Sequence, residues 1–295
     1  MSDAFIAGAL PALGFASLGS GSRGNGTLVR IGGELILVDC GFSVRVTVAR
    51  LARFGLRPGD LSAILVTHEH ADHIGGVAGL AQRYRIPVWC SHGTRRAVAG
   101  ELSARCFLSD QPFSIGQVRV DPVAVPHDAR EPTQFVFRYE AEGRAEQVGV
   151  LSDLGCITPH VTDRFSGCDG LMLEANHDPA LLRAGRYPPS VKRRVASDLG
   201  HLSNEQSLGL LARIAHPKLH VVLGHISQQN NDMDLLKALF EPLRPQLGAL
   251  GYAAQETGHR WLCPGGSADA VVAADVQTQS GTETEIRGET EAILS

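Results

Sequence analysis

The chain has 295 residues, 43% of them hydrophobic and with a formal net charge of −4, enough length and apolar content to bury a large core in one domain of about 250 residues. Six cysteines (Cys40, Cys90, Cys106, Cys156, Cys168, Cys263) lie scattered without C-x-x-C spacing, which argues against a disulfide framework or zinc ribbon and fits reduced thiols in a cytoplasmic protein. No stretch is apolar enough to span a bilayer, and the apolar Ala4 to Phe15 segment lacks a basic flank and is broken by Pro11, so neither membrane insertion nor a signal peptide is expected.

In chain order, Phe15 to Leu18 is a short apolar run before the glycine-rich segment Gly19-Ser20-Gly21-Ser22-Arg23-Gly24-Asn25-Gly26. That segment reads either as a hairpin turn or as an anion-binding nest of backbone amides, with Ser22, Arg23 and Asn25 as candidate substrate contacts. Leu35 to Val38 ends in Asp39, and Thr47 to Phe54 reads as a helix. Ala63 to Val66 runs into Thr67-His68-Glu69-His70-Ala71-Asp72-His73, followed by a helix over Asp72 to Tyr84. Pro87 to Cys90 reads as a strand and Thr94 to Leu102 as a helix. Phe113 to Val125 is strand-like and ends in Pro126-His127-Asp128. Gln134 to Glu140 and Gln147 to Leu151 read as strands around a turn at Glu142-Gly143, and the second ends in Ser152-Asp153. Leu171 to Leu173 ends in Glu174, with His177 close behind. Asn204 to Ile214 is a predicted helix with Asn204 as its N-cap. Leu219 to Leu223 ends in Gly224-His225, and Asp232 to Leu239 is a further helix. From Gly265 onwards the chain is acidic and rich in Thr, Ser and Gly. It holds six acids and one base, a charge of −5 that leaves the body at +1. Residues 265–295 are therefore expected to be a disordered tail behind a domain spanning 1–264, with at most a short helix from Glu289 to Leu294.

One pattern repeats: an apolar, β-branched run stops at a metal-ligand type. Residues two apart on an extended chain point the same way, so His68 and His70 can grip one metal, while Asp72 and His73, where the chain turns, can face a second. Side chains at the ends of neighbouring strands converge on one edge of a layered α/β sheet. Imidazole and carboxylate suit Zn, Mn or Fe without a thiolate. The plain alternative is a His-rich surface loop with Asp72 as a helix cap.

The order Asp39, His68-x-His70-x-Asp72-His73, His127, Asp153, His225 resembles the metallo-β-lactamase fold superfamily over roughly residues 14 to 262. The resemblance implies a four-layer αββα sandwich with two divalent ions, Zn or Mn with Fe admitted. It implies His68, His70 and His127 at one metal, Asp72, His73 and His225 at the other, Asp153 bridging, Asp39 behind a ligand histidine, and a metal-activated hydroxide as nucleophile. Gly200-His201-Leu202-Ser203-Asn204 and Leu173-Glu174-Ala175-Asn176-His177-Asp178 are similar to segments of tRNase Z, where a histidine serves the leaving group and a glutamate pairs with it. Taken with the glycine-rich segment and Leu223-Gly224-His225-Ile226-Ser227, these motifs most resemble the WalJ/YycJ-type branch of nucleases.

That branch implies a metal-dependent phosphodiesterase of the DNA exonuclease kind, with His201, Glu174 and Asp72 as catalytic residues. Nucleic acid is the expected partner, DNA ahead of RNA, and a homodimer is allowed. Arg183, Arg186, Lys192, Arg193 and Arg194 form a basic stretch that either positions a phosphate backbone or is a solvated helix face. His177 either lines the site or caps a turn. His201 and Glu174 keep structural hydrogen bonding as their alternative. An RNA-processing nuclease, a cyclic phosphodiesterase, a glyoxalase II-like thioesterase, a lactamase and a non-catalytic metal-binding protein are the competing readings.

Overall fold

The computed structural model describes residues 11–98, 103–141 and 143–265. In chain order the strands are β1 (Gly14–Gly19), β2 (Gly26–Ile31), β3 (Glu34–Val38), β4 (Ala63–Leu65), β5 (Val88–Ser91), β6 (Arg105–Phe107), β7 (Phe113–Ile115), β8 (Val118–Ala124), β9 (Thr133–Ala141), β10 (Arg144–Leu151), β11 (Gly170–Glu174), β12 (His220–Gly224), β13 (Ala249–Tyr252) and β14 (His259–Leu262). They form two 7-stranded sheets, ordered β14-β1-β2-β3-β4-β5-β6 and β13-β12-β11-β10-β9-β8-β7.

Side chains alternate between the two faces of each strand, and here both faces are buried. Val29, Ile36 and Val38 of the first sheet meet Val120, Phe135, Val148, Met172 and Val222 of the second in a core between the sheets. Leu28, Leu35 and Leu37 point outward under the helices α1 (Val44–Ala52) and α3 (Val77–Tyr84). Leu171, Leu173, Val221 and Leu223 point outward under α5 (Pro159–Phe165), α8 (Asn204–Ile214) and α9 (Met233–Phe240). The result is the expected αββα sandwich. Between these lie the shorter helices α2 (Ala71–Ile74), α4 (His92–Ala97), α6 (Pro179–Ala184) and α7 (Pro189–Val195). Among the described residues, no helix is long and apolar enough to cross a membrane.

Topology places the site. β3 to β6 run parallel, as do β10 to β13. β8 and β10 both run antiparallel to β9, so they share a direction. The residues after β3, β4, β8, β10, β11 and β12 therefore emerge at one end of the sandwich.

Several local expectations need correction. The helix predicted from Asp72 to Tyr84 is two, α2 and α3, broken at Gly75-Gly76. A Cβ on Gly76 would lie 1.9 Å from the Phe42 carbonyl oxygen, and the Gly76 amide donates to Cys40 at 2.7 Å, so the break seats the chain on the turn after β3. The helix starting at Thr94 begins earlier, at His92, capped by Ser91, and is followed to Ala97; residues 99–102 of that prediction lie outside the described residues. Phe113 to Val125 is a hairpin, β7 and β8, turned at Gly116 with φ of +56°. The cap of α8 is Ser203 rather than Asn204: its hydroxyl accepts from the Gln206 amide while the Gln206 side chain accepts from the Ser203 amide. The tail beyond residue 265, its possible helix and most of the Ala4 to Phe15 segment lie outside the described residues.

Candidate metal centre

Three residues turn the strand ends into the site. Asp39, Asp153 and His225 sit in the left-handed region, with φ of 61°, 54° and 51°. Such a conformation costs a non-glycine residue about 1–3 kcal/mol and persists only where the surroundings hold it. Each of the three follows closely on a strand clamped between two cores.

Hydrogen bonds then fix the imidazoles. Asp39, 4% exposed, accepts from the Thr67 amide at 2.8 Å, from the Thr67 hydroxyl at 2.8 Å and from His73 Nδ1 at 2.8 Å. Having donated to Asp39, the Thr67 hydroxyl accepts from His68 Nδ1 at 3.0 Å. His127 Nδ1 donates to the Gly200 carbonyl at 3.0 Å, and His225 Nδ1 donates to Glu174 Oε1 at 2.9 Å. Four rings are thus held as Nδ1–H tautomers with the Nε2 lone pair turned inward.

The inward atoms form two groups. His68 Nε2 lies 3.0 Å and His127 Nε2 3.4 Å from His70 Nδ1. His73 Nε2 lies 3.5 Å from Asp72 Oδ2 and 3.2 Å from Asp153 Oδ2, and His225 Nε2 lies 3.7 Å from Asp72 Oδ2. Asp153 also groups with His68 and His73 on one side and with Glu174, His201 and His225 on the other, which puts it between the sets.

These residues fit divalent metal ions. Facing imidazole lone pairs repel unless a cation lies between them, and the buried His225 Nε2 has no hydrogen-bond partner among the described residues. Burial pushes His68 and His127 below the usual imidazole range, so both are neutral and able to ligate. Burial alone would also lower His225, but the surrounding carboxylates of Asp153, Asp72 and Glu174 push it up to about 10. The field of these carboxylates favours positive charge at this point. A donor set of imidazoles and carboxylates suits borderline cations such as Zn and Mn.

Beside this cluster, Glu174 is fully buried. Its Oε1 accepts from His201 Nδ1 at 2.8 Å as well as from His225, and its Oε2 accepts from the amides of Leu154 and Leu202 at 3.2 and 3.3 Å. Burial would raise its pKa, but the His201 charge and the hydrogen bonds from His201 and His225 bring it down to about 2, so it is a carboxylate. The His201 side chain is 19% exposed, at the mouth of the cluster.

The structure brings His68, His70, Asp72, His73, His127, Asp153, His225, Asp39, Glu174 and His201 into one constellation. It treats the expected substrate residues differently. The glycine-rich segment is the hairpin loop between β1 and β2, and it rims the site. Asn25 turns inward: its amide side chain bonds Gly21 and the Asp72 carbonyl, so it positions the Asp72 turn. Ser22 and Arg23 are exposed, and Arg23 is drawn away to Glu256 at 2.7 Å and Gln228 at 3.1 Å. His177 is buried, with Nδ1 unpartnered among the described residues. On α7, Lys192 donates to the Arg183 carbonyl, Arg193 is exposed, and Arg194 is paired with Asp128, next to His127.

Sequence reasoning missed Thr67, Ser20 and Gly200. The Ser20 hydroxyl accepts from the His225 amide at 2.7 Å and so supports that strained residue. Gly200 acts through its backbone, which no side-chain pattern shows. Thr67 was findable as the hydroxyl residue just ahead of His68, the first histidine of the cluster.

Two facing sheets with imidazoles and carboxylates gathered at their shared end define a metal-dependent hydrolase. Residues 34–226 match the Beta-lactamase superfamily domain. Exodeoxyribonuclease YycJ of Bacillus anthracis is 35% identical over 234 residues, covering 76% of this chain and 86% of the relative. Exodeoxyribonuclease WalJ of Streptococcus pneumoniae is 33% identical over 230 residues, covering 75% and 84%. The metallo-β-lactamase fold protein YhfI from Bacillus subtilis shares the fold, with a TM-score of 0.62 at 14% identity, over 85% of this chain and 99% of that one. The chain belongs to the β-lactamase superfamily and, within it, to the family of YycJ and WalJ.

Proposed function

We propose that this protein is a phosphodiesterase that degrades DNA from its ends. The observation that carries the reading is the Glu174–His201 pair at the mouth of the cluster. A thioester expels a thiolate, which leaves without a proton donor, whereas the alkoxide expelled from a phosphodiester needs one. His68, His70 and His127 would hold one divalent ion, Zn or Mn, and Asp72, His73 and His225 a second, with Asp153 between them. When bound, such ions clamp a phosphoryl oxygen and lower the pKa of the attacking water.

The chain supplies the rest. Glu174 fixes the His201 ring through Nδ1. His201 Nε2 then delivers the proton to the leaving oxygen, a general-acid step worth about 10²–10⁴ in rate. Asp39 and Gly200 hold the ligand imidazoles so that they need not reorganise. Asp72 is presented by the Asn25-bonded turn. The basic stretch from Arg183 to Arg194 would contact the backbone phosphates of the nucleic acid. DNA stands ahead of RNA because the relatives that match most of the chain are named exodeoxyribonucleases.

The test is hydrolysis of end-labelled double-stranded DNA, single-stranded DNA and RNA with Mn or Zn added, against a His68→Ala control. Mononucleotide release from DNA, absent in the control, is the expected result. Cleavage of RNA alone moves the assignment to RNA processing. Metal-loaded protein that cuts no polymer moves it to a small phosphodiester.

A further inference from the structure

At the other end of the second sheet lies a cleft of about 510 Å³ lined only by polar residues: Gln117, Arg119, Asp121, Arg138, Glu140 and Arg164. Arg119 is near the start of β8 and Arg138 near the end of the antiparallel β9, whereas His127 follows the end of β8. The cleft and the metal centre are thus at opposite ends of the sheet.

The cleft is built around a charge imbalance. Arg119 and Arg138 are directly opposed on neighbouring strands, an unfavourable pairing of like charges. Asp121, 2% exposed, partly relieves it by accepting from Arg119 Nε at 2.7 Å and Arg138 Nε at 2.6 Å. Gln147 takes one further Arg138 nitrogen at 2.6 Å, so that guanidinium is fixed. A third guanidinium, Arg164 of α5, faces the same space. Its Nε is buried without an acceptor among the described residues, and a buried charged donor left unpaired is costly. Asp121 is already shared by two arginines and Glu140 is exposed at the rim, so three cations face two carboxylates.

We propose that this cleft binds a phosphomonoester dianion at a site separate from the metal centre. Planar guanidiniums present paired donors that match phosphate oxygens, and two of the three are pre-oriented by Asp121 and Gln147. The site stands on its own chemistry and does not depend on which polymer the metal centre cuts.

Calorimetric titration of the metal-loaded full-length protein with inorganic phosphate and with a deoxynucleoside 5′-monophosphate tests it. The Arg164→Ala variant should lose about tenfold in affinity, the effect of one charge-assisted hydrogen bond. Glu140→Gln, an exposed substitution that removes a negative charge, should bind more tightly. Hydrolysis of a small chromogenic phosphodiester should be unchanged in both, which separates this site from the metal centre. Tighter binding of the nucleotide than of phosphate identifies a nucleotide ligand, and equal binding identifies free phosphate; both support the site. Anion affinity equal to wild type in Arg164→Ala and Glu140→Gln overturns it, and if Arg164→Ala fails to fold, an unchanged Glu140→Gln overturns it alone.

Discussion

Asp39 holds Thr67 at two points, the backbone amide and the hydroxyl, each at 2.8 Å. Through that hydroxyl the carboxylate reaches His68 without touching it, and through Oδ2 it also reaches His73. One buried carboxylate therefore sets the tautomer of a histidine in each inward group. Replacing Thr67 with Val keeps the shape and removes the relay. Metal affinity is expected to fall about 10–100-fold, the usual effect of losing a partner behind a ligand. Competition against a chromogenic chelator measures it, and an unchanged affinity would show that packing alone orients His68.

Glu174 Oε1 is shared by His201 and His225, so the two variants of this pair should separate. His201→Ala should lower kcat by about 10²–10⁴ with metal content intact. Glu174→Gln removes charge from both rings and should lower kcat and metal occupancy together. Equal metal loss in the two variants would place His201 among the ligands. A wild-type rate in His201→Ala would leave it a structural hydrogen bond.

The fold and the strand-end residues were legible for one physical reason. Both faces of each sheet are buried, so strands such as Leu35 to Val38 and Leu219 to Leu223 are almost continuously apolar, and the first polar residue marks the strand end. Hydrophobic pattern cannot show how the chain turns there. The left-handed φ values of Asp39, Asp153 and His225 belong to residue types that pattern assigns only to chemistry. The Gly75-Gly76 pair was a visible breaker, but the Phe42 carbonyl that requires it is remote in sequence. The basic stretch was visible as charge, but Arg194's partner Asp128 lies on another loop and only the fold joins them.

The inward-facing lone pairs of the neutral His68 and His127 and the buried carboxylates beside them gain partners when cations bind. Stripping the metal with EDTA should therefore lower both activity and thermal stability. A ligand present at 100 times its Kd contributes about 2.7 kcal/mol of stability, so a clear fall in Tm is expected, reversed by adding Zn or Mn. Scanning calorimetry before and after chelation checks this. An identical Tm would mean that the cluster is stable without metal.

Gly41 offers a test of the loop scaffold away from any ligand side chain. A Cβ there would lie 1.8 Å from the Asp72 carbonyl oxygen, which also accepts from the Asn25 amide at 2.8 Å. Gly41→Ala must push the Asp72 turn outward. Lower Tm and weaker metal binding are expected together. A variant that loses stability but binds metal normally would show that the turn relaxes without moving Asp72.

Arg193 is exposed on α7, while its neighbour Arg194 is paired with Asp128. If α7 tracks a nucleic-acid backbone, Arg193→Ala should weaken oligonucleotide binding at every sequence alike. It should also reduce the slope of log affinity against log salt by about 0.7–0.9, one phosphate contact's worth of released counterion. Turnover of a small phosphodiester should not change, because that substrate does not extend to α7. Asp128→Asn releases Arg194 from its partner and should act in the opposite direction, tightening oligonucleotide binding. Salt slopes identical to wild type in both variants would make this helix a solvated face and move the DNA path to the opposite rim, along the loop between β1 and β2.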